Sequence, residues 1–470
     1  MVLALVACSD DARPASDGSQ ASSASSAAAP SQGAAGAGDP YYPNLGNGGY
    51  DVEHYDLLLT VDPRTNLLDA TATIRATATQ SLSRFNLDLL GLQIQSLKVD
   101  GLDAEHSRDG GELVITPSQP IEAGESFTVT VLYVGSPEPR STKAIPVAIG
   151  WIATGDGSFV LNEPEGASTW YPVNDHPSDK ATYTFHLTVP DGVAAIANGT
   201  LVRQVPAGNG QTTWTYEAKD PIASYLTQVA IGDYQLTSTP GPNGITIRNA
   251  FASPLAEDAT VDFSRTPEML EFFATQFGPY PFEVYGALVI NERKGVALET
   301  QTLSIFDSSF VDGSVQGDGV VAHELAHQWF GDSVTPASWK DVWLNEGFAT
   351  YAEWMWREHV DGAPAAANAA MVHEQLVGSP NSTLTGDPGV DHLFDPGAVY
   401  LRGALTLQAL RSTIGDDAFF TTLRTYAARF ADKNVTTNDF IQVASETAGR
   451  DLRELFDAWL YREELPALPS

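Results

Sequence analysis

Cysteine is nearly absent: Cys8 stands alone in 470 residues. No disulfide can close within such a chain, and thiol usage leaves the redox compartment open. Basic side chains are scarce as well. There are 25 Lys and Arg against 59 Asp and Glu, for a formal net charge of −34. A nucleic-acid binder needs a basic footprint on the phosphates, so that class is excluded. The acidity describes a solvated, aggregation-resistant surface, with an added attraction for cationic groups such as a substrate's ammonium end. No stretch reaches the roughly 18 uninterrupted apolar residues of a membrane span, and no fixed-period repeat is visible. What remains is ample for packing: 43% of residues are hydrophobic and 10% aromatic. The length exceeds what one core usually organises, so two domains are expected.

The N-terminal end carries an address rather than a fold. Leu5-Val6-Ala7-Cys8 follows a short apolar start and is similar to a bacterial lipobox, in which the cysteine is lipidated. The apolar run is shorter than a full signal and lacks a preceding Lys or Arg. Residues 1–8 read as a truncated signal or lipobox-like segment. Residues 9–47 are rich in Ser, Ala and Gly, a composition that buries too little apolar surface to offset its ordering entropy. They read as a disordered tether. The expected protein is exported, lipid-anchored through Cys8 at the bacterial cell surface or secreted, and monomeric.

From about residue 48 to 238 the polarity alternates with period two, as in Tyr55–Asp62, Ala70–Thr77, Ser126–Tyr133 and Tyr183–Val189. Turn signals such as Asp109-Gly110-Gly111 separate the runs. This predicts an antiparallel β-rich domain. A Pro/Gly-rich break at Ser238–Gly244 precedes longer apolar stretches at helical spacing, among them Pro267–Phe277 and Ala404–Leu410. Residues 239–470 therefore read as a mixed, then mainly helical, domain, and the fold class as α+β.

The chemistry concentrates in His323-Glu324-Leu325-Ala326-His327, set in an apolar segment that reads as a buried helix. Residues four apart share a helix face, so both imidazoles can reach one metal ion. Glu324 follows the first ligand and is placed to take a proton from water at that metal. A catalytic zinc needs a third protein ligand and an open position. Glu346, in the first turn of a second apolar helix, supplies it if the segment Ser333–Lys340 joins two antiparallel helices.

The spacing His323-Glu324-x-x-His327, eighteen residues, then Glu346 in Asn-Glu-Gly-Phe-Ala-Thr-Tyr resembles the M1 aminopeptidases, a gluzincin family with a thermolysin-like catalytic domain. The flanks His327–Asp332, Trp339–Leu344, Phe277–Phe282 and Trp170–Ala181 agree with it. The resemblance spans about residues 48–469. It implies one zinc ion per chain and peptide substrates with a free N-terminus. It also implies hydrolysis by a zinc-activated water with Glu324 as general base. In the family a Gly-x-Met-Glu-Asn loop lies along the substrate. The matching stretch here is Lys294-Gly295-Val296-Ala297-Leu298-Glu299-Thr300, which keeps Glu299 but departs at three other positions. Glu299, and Glu163 by register, are then the carboxylates that hold the substrate's α-ammonium, with Glu165 a second choice for the latter. Gly295, Val296 and Ala297 would follow the substrate backbone. Val296 stands where Gly is usual, and a β-branched residue restricts φ there.

Tyr400, in Val399-Tyr400-Leu401-Arg402-Gly403, matches the family's oxyanion-stabilising tyrosine, with Arg402 where Lys is common. Glu353, seven residues after Glu346, is either a support for a zinc histidine or a solvated helix charge. The remaining histidines (His54, His106, His176, His186, His359, His373, His392) have no ligand spacing and read as surface or structural. The resemblance also implies a short form lacking the C-terminal β-sandwich and helical domains, with a more open cleft. Two other classes stay open at this point. One is a zinc endopeptidase or an epoxide-opening hydrolase, and the other is a peptide-binding protein on an inactive peptidase fold.

Overall fold

The computed structural model describes residues 29–155, 157–379 and 381–469. Cys8 and the lipobox-like segment lie outside the described residues.

The first domain is built on an eight-stranded sheet. Its spatial order is Thr200–Gly208, Gln211–Ala223, Lys180–Pro190, Tyr50–Asp62, Leu67–Ala78, Ser126–Gly135, Gln93–Val99, Leu102–Asp103. The alternating runs become strands because one face is buried: Tyr55, Leu57, Leu59 and Val61 point inward with Leu68, Ala70, Ala72 and Ile74 across the hairpin. A one-residue slip would expose that whole set, so the hydrophobic pattern fixes the register. Within this sheet one pairing differs from the expected antiparallel arrangement. Lys180–Pro190 runs parallel to Tyr50–Asp62, a long-range pairing that local alternation does not encode. Smaller four- and five-stranded sheets complete the domain.

The Pro/Gly-rich stretch at 238–244 is not a linker. Tyr234–Pro240 and Thr246–Ala252 form an antiparallel hairpin around it, inside a sheet that continues through Ala287–Ile290 and Ser304–Asp307 to Ala297–Leu298. Val229–Gly232, in the five-stranded sheet, is the last strand before this hairpin. Turn residues mark hairpins as readily as breaks between domains. Helices then dominate. Those that matter here are α1 (Thr266–Phe277), α2 (Asp318–His327), α3 (Trp343–Asp361), α4 (Arg402–Ile414) and α5 (Arg453–Leu460).

Residues 29–47, expected as tether, belong to the fold. Ser31–Gln32 pairs with Leu82–Asp88, and Leu45, Asn47 and Asp39 are buried. Asp39 explains the ordering. Its carboxylate accepts hydrogen bonds from Tyr41 N at 2.7 Å, Ser338 Oγ at 2.8 Å and Trp339 N at 2.9 Å, and lies 3.3 Å from His176 Nε2. His176 belongs to the first domain and Ser338-Trp339 to the second, so this arm clasps the two. Low hydrophobicity concealed it, because its anchor is one buried carboxylate rather than an apolar stripe.

Replacing Asp39 with Ala leaves the Trp339 and Ser338 donors unpaired and should cost about 2 kcal/mol or more. A lowered urea midpoint measures it; an unchanged midpoint would show that the arm is not a clasp.

Candidate metal centre

α2 is apolar on nearly every side, so its only polar groups of consequence face inward with the rest: His323, Glu324 and His327 are all buried. α3 is antiparallel to it and carries Glu346 in its first turn. The two imidazoles and this carboxylate converge. His323 Nε2 lies 3.2 Å and His327 Nε2 3.5 Å from Glu346 Oε2, and one ligand atom from each lies within 4.8 Å of the others.

The tautomers are set from behind. His323 Nδ1 donates to Glu353 Oε1 at 2.7 Å, and His327 Nδ1 donates to Phe330 O at 3.1 Å. Both Nε2 lone pairs are thereby directed into the same space. Glu353 is therefore bonded to His323 rather than left as a free helix charge. A buried set of two imidazole nitrogens, each oriented by an outer partner, and one carboxylate fits zinc with a position left for water. Burial pushes the Glu346 carboxyl up, but the charge of His327 and bonds from both imidazoles outweigh it and bring it down to about 2. Glu324 goes the other way: burial lifts it to about 8 against the pull of the two histidines. It sits with Glu299 and His327 in a second buried group, within 4.8 Å.

Glu163, Glu299 and Glu346 form a third such group. Glu163 comes from the first domain, just after Ser158–Leu161, and Glu299 from the second, just after Ala297–Leu298. Glu299 Oε1 and Glu163 Oε1 are buried without a hydrogen-bond partner among the described residues. Glu165, the second choice by register, instead pairs with Arg140 at 3.2 Å. The loop before Glu299 is shaped by Asp307, whose carboxylate accepts from the amides of Lys294, Gly295 and Val296. Gly295 takes φ +72°, a left-handed conformation suited to glycine. Val296 does not, and its side chain packs on a small core that includes Leu161, Ile290 and Leu298. The β-branched residue is therefore accommodated without strain.

Tyr400 sits in a π-helical turn, Pro396–Leu401. Its ring lies parallel to His323, with centroids 6.0 Å apart. Burial, reinforced by Glu346 and Glu163, pushes its phenol well above the usual value, so it keeps its proton.

Several supports escaped sequence reasoning. Gln328 donates to Glu299 O at 2.9 Å and accepts from Thr302 N at 2.8 Å, tying the Glu299 strand to the metal helix. Lys180 donates to Asp332 O at 2.7 Å and Ser333 O at 3.0 Å, tying the first domain to the loop after it. Asn345 donates to Tyr225 Oη at 3.1 Å, and Tyr225 donates to Gly331 O at 3.2 Å. The signal for the first two was their place inside the matched flanks. The histidines without ligand spacing stay outside the centre; His176, for example, is buried in the Asp39 clasp.

Residues 51–226 match the peptidase M1 N-terminal domain model and residues 261–459 the peptidase family M1 domain model. The crystal structure of the M1 zinc metallopeptidase from Deinococcus radiodurans superposes with a TM-score of 0.85 at 35% identity, covering 93% of this chain and 99% of that one. The chain belongs to peptidase family M1. A two-domain M1 zinc metallopeptidase bound to L-arginine gives a TM-score of 0.86, also at 35% identity and with 93% and 99% covered. These M1 neighbours are zinc metallopeptidases. Among curated M1 relatives, Aminopeptidase N of Streptomyces lividans is 30% identical over 313 residues, 61% of this chain and 36% of that one. Probable aminopeptidase 1 of Sulfurisphaera tokodaii is 24% identical over 417 residues, 82% and 50%. The chain spans between a third and a half of the length of these two relatives.

The metal-free centre should be pH-sensitive. Glu324 binds its proton up to about pH 8 in the folded chain but only to about 4.5 when unfolded. Glu299, Glu163 and His323 are raised in the same sense. The folded state then holds more protons, so apo stability falls as pH rises from 4.5 to 8. Glu346 acts oppositely, but only as pH drops from 4.5 towards 2. The gap in melting temperature between zinc-loaded and chelated protein should widen from pH 5 to pH 8 in calorimetry. A constant gap would contradict this electrostatic account.

Proposed function

We propose that this protein is a zinc aminopeptidase that removes the N-terminal residue from peptides with a free N-terminus. The observation that carries the reading is the pair of buried, unpartnered carboxylate oxygens of Glu163 and Glu299 beside the metal triad. Leaving acceptors unpaired in a dry site is costly, and a substrate ammonium would satisfy both. Held there, the ammonium fixes the distance to the metal so that only the first peptide bond is within reach. A related M1 structure from Deinococcus radiodurans has Tyr-Ser-Ala as its bound substrate, and another M1 neighbour binds L-tryptophan. Both ligands carry a free ammonium, which supports this placement.

When bound, zinc supplies a Lewis acid that polarises the scissile carbonyl and acidifies the attacking water. The side chains do the rest. Glu324 takes the proton from that water and delivers it to the leaving amine. Tyr400, kept protonated, donates its hydroxyl hydrogen to the carbonyl oxygen as charge develops. Glu353 holds His323 throughout, and Gly295, Val296 and Ala297 flank the substrate backbone.

Glu324→Gln should retain one zinc per chain while lowering kcat by about a thousandfold or more. Substantial residual turnover would remove Glu324 as the base. The unblocked peptide should be cleaved and its N-acetylated form should not, because the acetyl group removes the ammonium. Equal cleavage of both would mean an endopeptidase.

We further propose export and lipid anchoring through Cys8, supported by the Leu5-Val6-Ala7-Cys8 sequence and the Ser/Ala-rich residues that follow it. Full-length protein should partition into the membrane fraction and a Cys8→Ser variant should not; the same distribution for both would exclude the anchor.

A further inference from the structure

The residue two positions after Tyr400 is a buried arginine whose partners are all main chain. Arg402 is 4% exposed. Its Nε donates to Trp459 O at 2.8 Å and its Nη1 to Glu463 O at 3.1 Å. Its Nη2 faces Glu464 O at 3.3 Å, Ala458 O at 3.5 Å and Arg462 O. Ala458 and Trp459 lie in the last turn of α5, where carbonyls lack intrahelical partners and the helix dipole is negative. The other three carbonyls belong to the chain that follows. One planar guanidinium with five N–H donors can serve such a set, whereas the compact ammonium of a lysine cannot.

This clamp grips one end of the turn that carries Tyr400. The other contacts of that turn are specific too. Asp395 Oδ1 accepts from Ala398 N at 2.7 Å, and Thr385 Oγ1 donates to Ala398 O at 2.8 Å. Gly403, just past the clamp, meets Gly347, the neighbour of Glu346. A Cβ added at Gly403 would come within 2.8 Å of Gly347 Cα, so α4 and α3 approach backbone to backbone there. A π turn is rare and appears mostly as a single-turn bulge in an α-helix, frequently at functional sites. Relaxing it to α-helix shifts the register by one residue, rotating what precedes Arg402 by about 100°. Held at Arg402 and Gly403, the turn stays π-helical and the Tyr400 ring stays against His323.

We propose that Arg402 is a positioning residue for Tyr400: by clamping residues 458–464 it fixes the π-helical turn and so sets the reach of the tyrosine hydroxyl. The proposal rests on the reading of Tyr400 as the oxyanion donor.

The test compares Arg402→Lys and Arg402→Met, each alone and combined with Tyr400→Phe. In the otherwise native enzyme either variant should lower kcat about ten- to a hundredfold while KM and zinc content are unchanged. In the Tyr400→Phe background the same substitutions should change kcat by no more than about twofold, because their effect passes through the missing hydroxyl. Equal losses in both backgrounds, or a lowered melting temperature with native kcat, would reduce Arg402 to a fold staple and overturn the proposal. Should Arg402→Met fail to fold, Arg402→Lys carries the comparison. Tyr400→Phe alone tests the underlying reading, since native kcat in that variant would remove the oxyanion role and the proposal with it.

Discussion

Two imidazole nitrogens meeting one carboxylate oxygen in a buried space is the constraint from which the rest of the structure follows. Charged and polar groups do not stay in a dry interior unless their partners are held in place. His323, His327 and Glu346 are held by the antiparallel packing of α2 on α3. Each histidine is then fixed on its far side, by Glu353 and by Phe330 O. Gln328 extends the same framework to Glu299, and Lys180 extends it to the first domain. The metal centre is thus the node of a network that reaches both domains.

The two domains meet at the site rather than beside it. Glu163 comes from the β-rich domain and Glu299 from the catalytic one, yet they sit in a single carboxylate group with Glu346. Their relative position is set by an interface that includes the packing of Tyr225 on Trp339, with centroids 5.1 Å apart. The arm containing Asp39 adds a polar clasp at the same level of the fold, immediately before the helix that carries Glu346. Any change that loosens this interface therefore acts on substrate placement as well as on stability.

Local patterns were legible where one periodicity sufficed. The helical spacing of His323 and His327 placed both on one face of α2, and the alternation in Tyr55–Asp62 and Ala70–Thr77 marked the cores of the strands Tyr50–Asp62 and Leu67–Ala78. Features that depend on a single polar group or on long-range pairing were not legible. The arm at 29–47 has the composition of a tether, and only the pocket around Asp39 orders it. The turn at 238–244 read as a break between domains because its residues serve equally in a hairpin. Val296 raised a doubt about the substrate loop that only the small core beneath it could resolve.

The family and the placing of His323 and His327 on one helix face were readable along the chain alone, because spacing on a helix is a local property. The tertiary structure alone decided which carboxylate faces the site. Glu163 and Glu165 are two residues apart on an irregular segment, and one ends beside Glu299 while the other pairs with Arg140. It also decided that Glu353 supports His323, and that the turn at Tyr400 is π-helical and clamped through Arg402 to residues 458–464. Those facts depend on which surfaces meet when distant parts of the chain pack, and no local periodicity carries that information.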